Sequence, residues 1–362
     1  MKRCWVEIDL NALRNNYRVY KSFLKNDMKI MAVVKADAYG HGDVEVARAL
    51  MQEGCTDFAV SNINEAIGLR ESGVKGQILI LGYTPASMAA ELVKYDITQA
   101  LLSEEHARAL ADAGIKGIKT QFAIDTGMNR IGLDADEPES CEMLIRRYSN
   151  YFEMTGIFTH LCAADTPSEQ TFTDGQISKF KNVVSRIKDM NLPYIHCMNS
   201  AGGLWQEPYG CFARLGIVLY GIKPDIENEM PKGIRQVMKW KSVVSMVKDV
   251  HAGESIGYGR EYKVFREMRV ATVPVGYADG FNRLLSGRGK VFIAGKPAKV
   301  LGRVCMDQIM VDVSDIPEAK YEAEVELIGE HYDADAMASE IGVIGYTIVC
   351  NISKRVDRVY IN

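Results

Sequence analysis

Residues 30–42 read Ile-Met-Ala-Val-Val-Lys-Ala-Asp-Ala-Tyr-Gly-His-Gly. Five consecutive apolar residues, three of them β-branched, have the length and character of a parallel strand buried on both faces. The polar, glycine-bearing stretch from Lys35 reads as a loop. Val44, Ala47, Leu50 and Met51 then recur at helical spacing, and Gly54 supplies the left-handed residue that closes a helix. Strand, loop and helix in this order form the unit of an α/β fold.

Outward from this stretch the unit repeats. Short runs rich in Val, Ile, Leu or Phe lie at 57–60, 77–81, 97–102, 119–124, 152–158, 193–197 and 212–220, which makes eight with the first. Ala66/Ile67/Leu69/Arg70 and His106/Leu110/Ala113 read as amphipathic helices between them, ended by Gly73 and Gly114. Apolar runs alone do not separate a closed barrel from an open doubly wound sheet. Eight consecutive units within about 210 residues favour closure, so the expected fold is α/β, a (β/α)8 TIM-type barrel over residues 10–228.

The rhythm breaks at Lys223-Pro-Asp-Ile-Glu-Asn-Glu-Met-Pro-Lys-Gly, residues 223–233. Beyond it period-two segments take over, at 243–250, 270–275, 290–293 with a turn at Ala294-Gly295, 298–300, 309–313, 324–328 and 356–361. A mainly β C-terminal domain is expected over 229–362. The opening strand, within residues 1–9, is expected to pair with it, and Asp9 to cap the first barrel helix.

Composition sets the function classes. The chain has 362 residues, 47% hydrophobic and 25% charged, enough to bury large cores. Forty-three Lys+Arg against 47 Asp+Glu give a net charge of −4 and no basic field for nucleic acid or anionic membrane. No apolar run is long enough for a membrane helix and the opening Met-Lys-Arg-Cys-Trp-Val-Glu lacks a signal-peptide core, so a cytoplasmic protein is expected. Eight scattered cysteines without a C-x-x-C pair read as reduced thiols, and the six histidines lack metal-ligand spacing, so no metal site is expected.

In a barrel, function gathers at the C-terminal ends of the strands. Those ends carry Lys35, the segment Asp125-Thr-Gly-Met-Asn-Arg130, His160, Asn199-Ser-Ala-Gly-Gly and Arg214-Leu-Gly-Ile. Taken singly, Lys35 is a surface charge, His160 a core histidine, and Arg130 and Arg214 ion-pair partners. Together they differ. A lysine directly after a buried strand is desolvated, which lowers its amine pKa and lets it condense with a carbonyl. Small residues after Ser200 let backbone N–H groups approach a phosphate. A desolvated lysine across one barrel mouth from a phosphate cradle describes a pyridoxal 5'-phosphate site.

The segment Ala32-Val-Val-Lys-Ala-Asp-Ala-Tyr-Gly-His-Gly closely resembles the cofactor attachment segment of alanine racemases. The resemblance runs on through Asp125-Thr-Gly-Met-Asn-Arg-Ile-Gly, Thr159-His, Asn199-Ser, Arg214-Leu-Gly-Ile, Ser255-Ile-Gly-Tyr-Gly, Gly276-Tyr-Ala-Asp-Gly and Gly302-Arg-Val-Cys-Met-Asp-Gln, essentially the whole chain. It implies a homodimer whose active sites each borrow residues from the partner's β domain. It further implies two catalytic bases, Lys35, which also holds the cofactor, and Tyr258 from the other subunit. Tyr39, Ser200, Gly216, Ile217 and Tyr346 match the phosphate contacts, and Arg214 meets the pyridine nitrogen. His160 and Arg214 are expected to favour the Tyr258 phenolate, with Asn199 and His196 behind the ring. Arg130 and the Met306 backbone N–H match substrate-carboxylate contacts, and Tyr277 a substrate entrance.

One departure is visible. Many relatives place a carbamylated lysine where this chain has Ala123, so Arg130 must be oriented by something else. The resemblance points to L-alanine/D-alanine racemisation for peptidoglycan. Leu161-Cys-Ala-Ala-Asp beside His160 resembles the serine-racemising, vancomycin-resistance branch, a second reading that the bulky Tyr346 opposes. A non-catalytic cofactor carrier would lack the β domain, and a barrel decarboxylase would carry a glycine-rich phosphate segment not found here.

Overall fold

The structure is a computed structural model that describes residues 2–25, 27–224 and 229–362. Eight parallel strands, Lys29–Val33, Asp57–Val60, Gln77–Ile80, Thr98–Leu101, Lys119–Asp125, Glu153–Phe158, Tyr194–His196 and Phe212–Leu215, each pair with the next in chain order. The last pairs back onto the first, Arg214 with Met31. A parallel bridge between Met198 and Ala213, with the Arg214 N–H donating to Met198 O at 2.9 Å, joins the seventh and eighth and closes the barrel. Three of these strands are buried at every position, the pattern of a sheet covered on both faces.

The run 212–220 differs from expectation. Only Phe212–Leu215 is strand; the chain turns at Gly216 (φ −112°, ψ −107°) and Ile217–Tyr220 winds into a 3-10 turn, all four side chains buried. Uniform burial makes a strand and a buried helical turn look alike in sequence.

The second sheet has nine strands, in spatial order Met246–Val250, Met268–Val273, Ile309–Asp312, Lys296–Leu301, Lys290–Ile293, Glu324–Ile328, Met238–Val243, Cys4–Asp9 and Asp357–Ile361. The opening strand lies antiparallel to Met238–Val243 and parallel to Asp357–Ile361, as expected. Asp9 ends it and caps the helix Leu10–Phe23, its Oδ1 accepting from the Ala12 N–H at 2.8 Å. The expected strand 243–250 is two, split at residues 244–245. Two helices, Ala334–Ser339 and Gly345–Cys350, stand where only strands were expected. Each is six residues, too short to show a helical period. The expected boundary at 228/229 abuts residues 225–228, which lie outside the described residues. Among the described residues no helix is long and apolar enough to cross a membrane. All eight cysteines are free, four of them buried, with Cys162 and Cys350 exposed.

Candidate active site

A cavity of about 530 Å³ opens at the C-terminal end of the barrel strands. Lys35, Tyr39, Ala123, Arg130, His160, Asn199, Ser200, Arg214, Gly216, Ile217 and Tyr346 all line it. Ten of the thirteen candidate site residues, all of these except Ala123, thus share one space.

After Lys35 the chain forms no open loop. Ala36, Asp37, Ala38 and Tyr39 have φ between 51° and 55°, one turn of left-handed helix built without glycine. Each such residue costs roughly 1–2 kcal/mol in its own backbone, so contacts from outside must hold the turn. The Ala36 N–H donates to Glu65 Oε1 at 2.9 Å, the Ala38 N–H to Val34 O at 2.9 Å and the Gly42 N–H to Asp37 O at 2.9 Å. Burial first, and the Arg130 guanidinium second, hold the Lys35 amine below the usual lysine value. Lys35 has no ion-pair partner among the described residues.

Arg214 is 3% exposed and donates only to neutral acceptors. Nη1 reaches His196 Nδ1 at 2.7 Å, and Nη2 reaches Thr159 O at 2.7 Å and His160 Nδ1 at 3.3 Å. Burial lowers its pKa to about 10, which leaves it charged at neutrality. Because a guanidinium can only donate, His196 Nδ1 accepts, and the His196 Nε2–H donates to Gln121 Oε1 at 2.8 Å. His196 is therefore neutral, burial and Arg214 holding its pKa well below the usual value. Burial, then Arg214, Arg130 and Lys35, push His160 down to about 3. Neutral, with Nδ1 accepting from Arg214, His160 offers a hydrogen bond from its Nε2–H to a ligand rather than a positive charge.

The cradle of Ser200, Gly216 and Tyr39 is compact. Ser200 Oγ accepts from the Gly216 N–H at 2.9 Å. A Cβ on Gly216 would sit 2.9 Å from Tyr39 Oη, so a side chain there would displace the phenol. Tyr39 packs its ring against Tyr220 (centroids 5.1 Å) and Tyr346 (6.0 Å). Asn199 ties its own loop to the one after the sixth strand, Nδ2 donating to Leu161 O at 2.9 Å and Oδ1 accepting from the Gly202 N–H at 2.8 Å. Asp125 Oδ1 accepts from the N–H groups of Gly127 (2.9 Å) and Asn129 (3.1 Å), shaping the turn that presents Arg130. Arg130 has no salt bridge among the described residues, and Ala123 beside it supplies no anion.

Tyr258, Met306 and Tyr277 lie elsewhere. Tyr258 and Met306 line a second cavity of about 700 Å³ on the large sheet, and no residue lines both cavities. Tyr258 is 68% exposed, Met306 53% and Tyr277 43%. One chain alone does not bring them to Lys35. The loops of Tyr277 and Met306 are joined to each other, the Tyr277 N–H donating to Cys305 O and the Ala278 N–H to Met306 O, both at 3.0 Å.

Gln121 escaped the sequence reading, although a polar residue inside an apolar strand run was the signal available. The helix Gly345–Cys350, which carries Tyr346, gave none.

Comparison with known proteins agrees along the whole chain. The alanine racemase N-terminal domain family matches residues 8–224 and the C-terminal domain family residues 237–360. Alanine racemase 1 of Clostridium acetobutylicum is 40% identical over 369 residues, covering 99% of this chain and 95% of that protein. Alanine racemase of Desulfovibrio desulfuricans is 40% identical over 365 residues, with 99% and 98% covered. The solved alanine racemase of Clostridium difficile 630 superposes with a TM-score of 0.94 at 37% identity, covering 100% of this chain and 96% of that one. That of Bacillus anthracis, solved with bound L-Ala-P, gives 0.92 at 32% identity, with the same coverage. Matched end to end in sequence and in fold, the chain belongs to the alanine racemase family.

Proposed function

We propose that the protein is a pyridoxal 5'-phosphate-dependent racemase that interconverts L-alanine and D-alanine by two bases on opposite faces. The observation that carries this is Lys35: an amine with lowered pKa, set by a left-handed turn into a cavity whose other walls are Arg214 and the Ser200/Gly216/Tyr39 cradle. The donor set suits the cofactor. Backbone and hydroxyl donors meet a phosphate, a donor-only guanidinium meets a ring nitrogen, and the tight approach at Gly216 leaves backbone free to face a ligand.

When bound, the cofactor supplies the electron sink that makes the α-proton removable. The chain supplies the rest. Lys35 would hold the cofactor and, as a free amine, would take or return the α-proton on one face. The partner subunit's Tyr258 does so on the other. There it would face a cavity wall that carries the Arg130 and Arg214 guanidinium groups. Arg214, which can only donate, would meet the ring nitrogen without protonating it and so would restrain the electron sink that the cofactor supplies. Arg130 and the partner's Met306 N–H hold the substrate carboxylate, Tyr277 lines the entrance, and Tyr39, Ser200, Gly216, Ile217 and Tyr346 hold the phosphate, with Asn199 and His160 beside the ring.

This reading requires a homodimer. The barrel, residues 10–228, binds the cofactor, and the β domain, residues 229–362 with strand 1–9, completes the partner's site. The exposure of Tyr258 and Met306 supports it, since both are otherwise apolar surface left to water. D-alanine for peptidoglycan, made in the cytoplasm, is the corresponding role.

The test is incubation of the purified protein with cofactor and L-alanine in deuterated water. D-alanine carrying α-deuterium is expected; an optically unchanged substrate overturns the reading, and cofactor binding without turnover would identify a carrier. A larger kcat/KM for L-serine than for L-alanine would move the substrate assignment to serine, against the restriction expected from Tyr346 at the cavity wall.

A further inference from the structure

We propose that His41 is a positioning residue for Lys35, its single imidazole N–H pinning the left-handed turn that aims the lysine amine into the cavity. The proposal rests on the racemase reading for what Lys35 does, and on geometry for what His41 does. His41 Nδ1 lies 3.0 Å from Ala38 O and 3.0 Å from Tyr39 O. Two carbonyl oxygens facing one ring nitrogen require that nitrogen to carry the hydrogen, so the neutral ring is the Nδ1–H tautomer and its hydrogen is forked between the last two left-handed residues. Burial holds the His41 pKa at about 4, so the ring stays neutral at working pH.

The other nitrogen tells against a packing role. His41 is fully buried and its Nε2 has no hydrogen-bond partner among the described residues. An orphaned buried acceptor is a penalty that Leu or Phe at this place would avoid. The histidine therefore earns its place through Nδ1. Its ring lies 4.5 Å from the Tyr220 ring, and the Tyr220 hydroxyl donates to Val33 O at 3.0 Å, two residues before Lys35. One aromatic pair thus grips the chain on both sides of the lysine. On the outer side Arg358 Nε donates to Gly40 O at 3.2 Å, and a Cβ on Gly40 would meet Val349 O at 2.3 Å. A backbone conformation unfavourable to L-residues is held at its carbonyls by groups that no other part of the mechanism uses.

Three variants test this in the cofactor-loaded protein. His41→Asn keeps an N–H donor at the reach of Nδ1; His41→Leu and His41→Phe fill the space without one. The readouts are amide hydrogen exchange of residues 35–42, the fraction of cofactor trapped on Lys35 by borohydride, and kcat and KM for L-alanine. The donor-free variants should exchange faster in this segment, trap less cofactor, and lose roughly tenfold or more in kcat with a smaller change in KM, the scale of a misplaced reacting group. Asn should restore most of each. Wild-type behaviour in a donor-free variant, or an Asn variant as impaired as Leu and Phe, overturns the proposal. If wild-type protein traps no cofactor on Lys35, the racemase reading falls, and exchange across the same variants still decides whether His41 pins the turn.

Discussion

Asp279→Asn removes the charge that joins the chain's two ends to the loops of Tyr277 and Met306. The Asp279 side chain is 0% exposed. It accepts from Arg3 at 2.7 and 3.2 Å, from Arg355 Nε at 2.7 Å and from the Gly276 N–H at 2.9 Å. Arg355 also reaches Asp307 at 2.5 Å, beside Met306. Asn keeps the shape and one acceptor oxygen but leaves two guanidinium groups facing a neutral amide. Breaking a buried ion pair costs about 3–5 kcal/mol. Arg3 and Arg355 are 44% and 39% exposed and can recover water, so the lower end applies, about 3 kcal/mol. Burial alone would raise the carboxyl, but the hydrogen bonds from Arg355, Arg3 and the Gly276 N–H outweigh it and hold the pKa below the ordinary value. A depressed carboxyl contributes stability that is present above its unfolded pKa, about 3.9, and is lost as pH falls through the folded one. Urea unfolding at several pH values should show wild type ahead by about 3 kcal/mol near neutrality, the gap narrowing below about pH 4. A gap under about 1 kcal/mol at neutrality, the scale of an exposed pair, or one that does not narrow on acidification, refutes the reasoning.

Lys35→Ala should abolish both the visible absorbance of bound cofactor and turnover; a coloured, active variant would remove Lys35 from both roles. Tyr258→Phe should keep the cofactor absorbance and lose turnover in both directions, since each direction needs one base to remove the α-proton and the other to return it, and unchanged rates would take Tyr258 out of the base role. His41 at about 4 and His160 at about 3 both lie below the unfolded histidine value. The unfolded chain therefore binds more protons, and stability should fall as pH drops from 6.5 towards 5 by up to about 1.4 kcal/mol per unit and site. Urea midpoints across that window measure it, and a flat profile would show that these rings are not buried neutral.

The barrel was legible because its strands are buried on both faces, which writes continuous apolar runs into the chain at a regular interval. Legibility failed where burial stopped being directional. Residues 217–220 continue the run of 212–215 without a break in hydrophobicity, yet Gly216 changes the backbone and not the composition. The turn after Lys35 is a second case: nothing in Ala-Asp-Ala-Tyr announces four positive φ angles, since of the groups that stabilise them only His41 is local, while Tyr220 and Arg358 come from distant parts of the chain. The site residues were legible as a set because strand ends put them in register at one mouth. Tyr346, on a helix of the β domain, and Tyr258, Met306 and Tyr277 were identified by resemblance alone; the first lines that mouth and the other three stand apart from it in the single chain.

The charge of the mouth follows from one choice of neutral side chain. A buried guanidinium needs acceptors, and a carboxylate would be the obvious one. Here the acceptors are imidazole nitrogens and backbone carbonyls, so Arg214 keeps its full positive charge towards the cavity. That arrangement holds only while His196 stays neutral, with Nδ1 bare. Gln121 secures it, because an amide oxygen accepts the Nε2 hydrogen without adding a negative charge that would draw a second proton onto the ring. A glutamate at 121 would favour imidazolium, put an N–H where Arg214 needs a lone pair, and break the 2.7 Å bond. The Gln121 amide, one histidine away from Arg214, therefore governs whether the guanidinium stays a pure donor at the cavity wall.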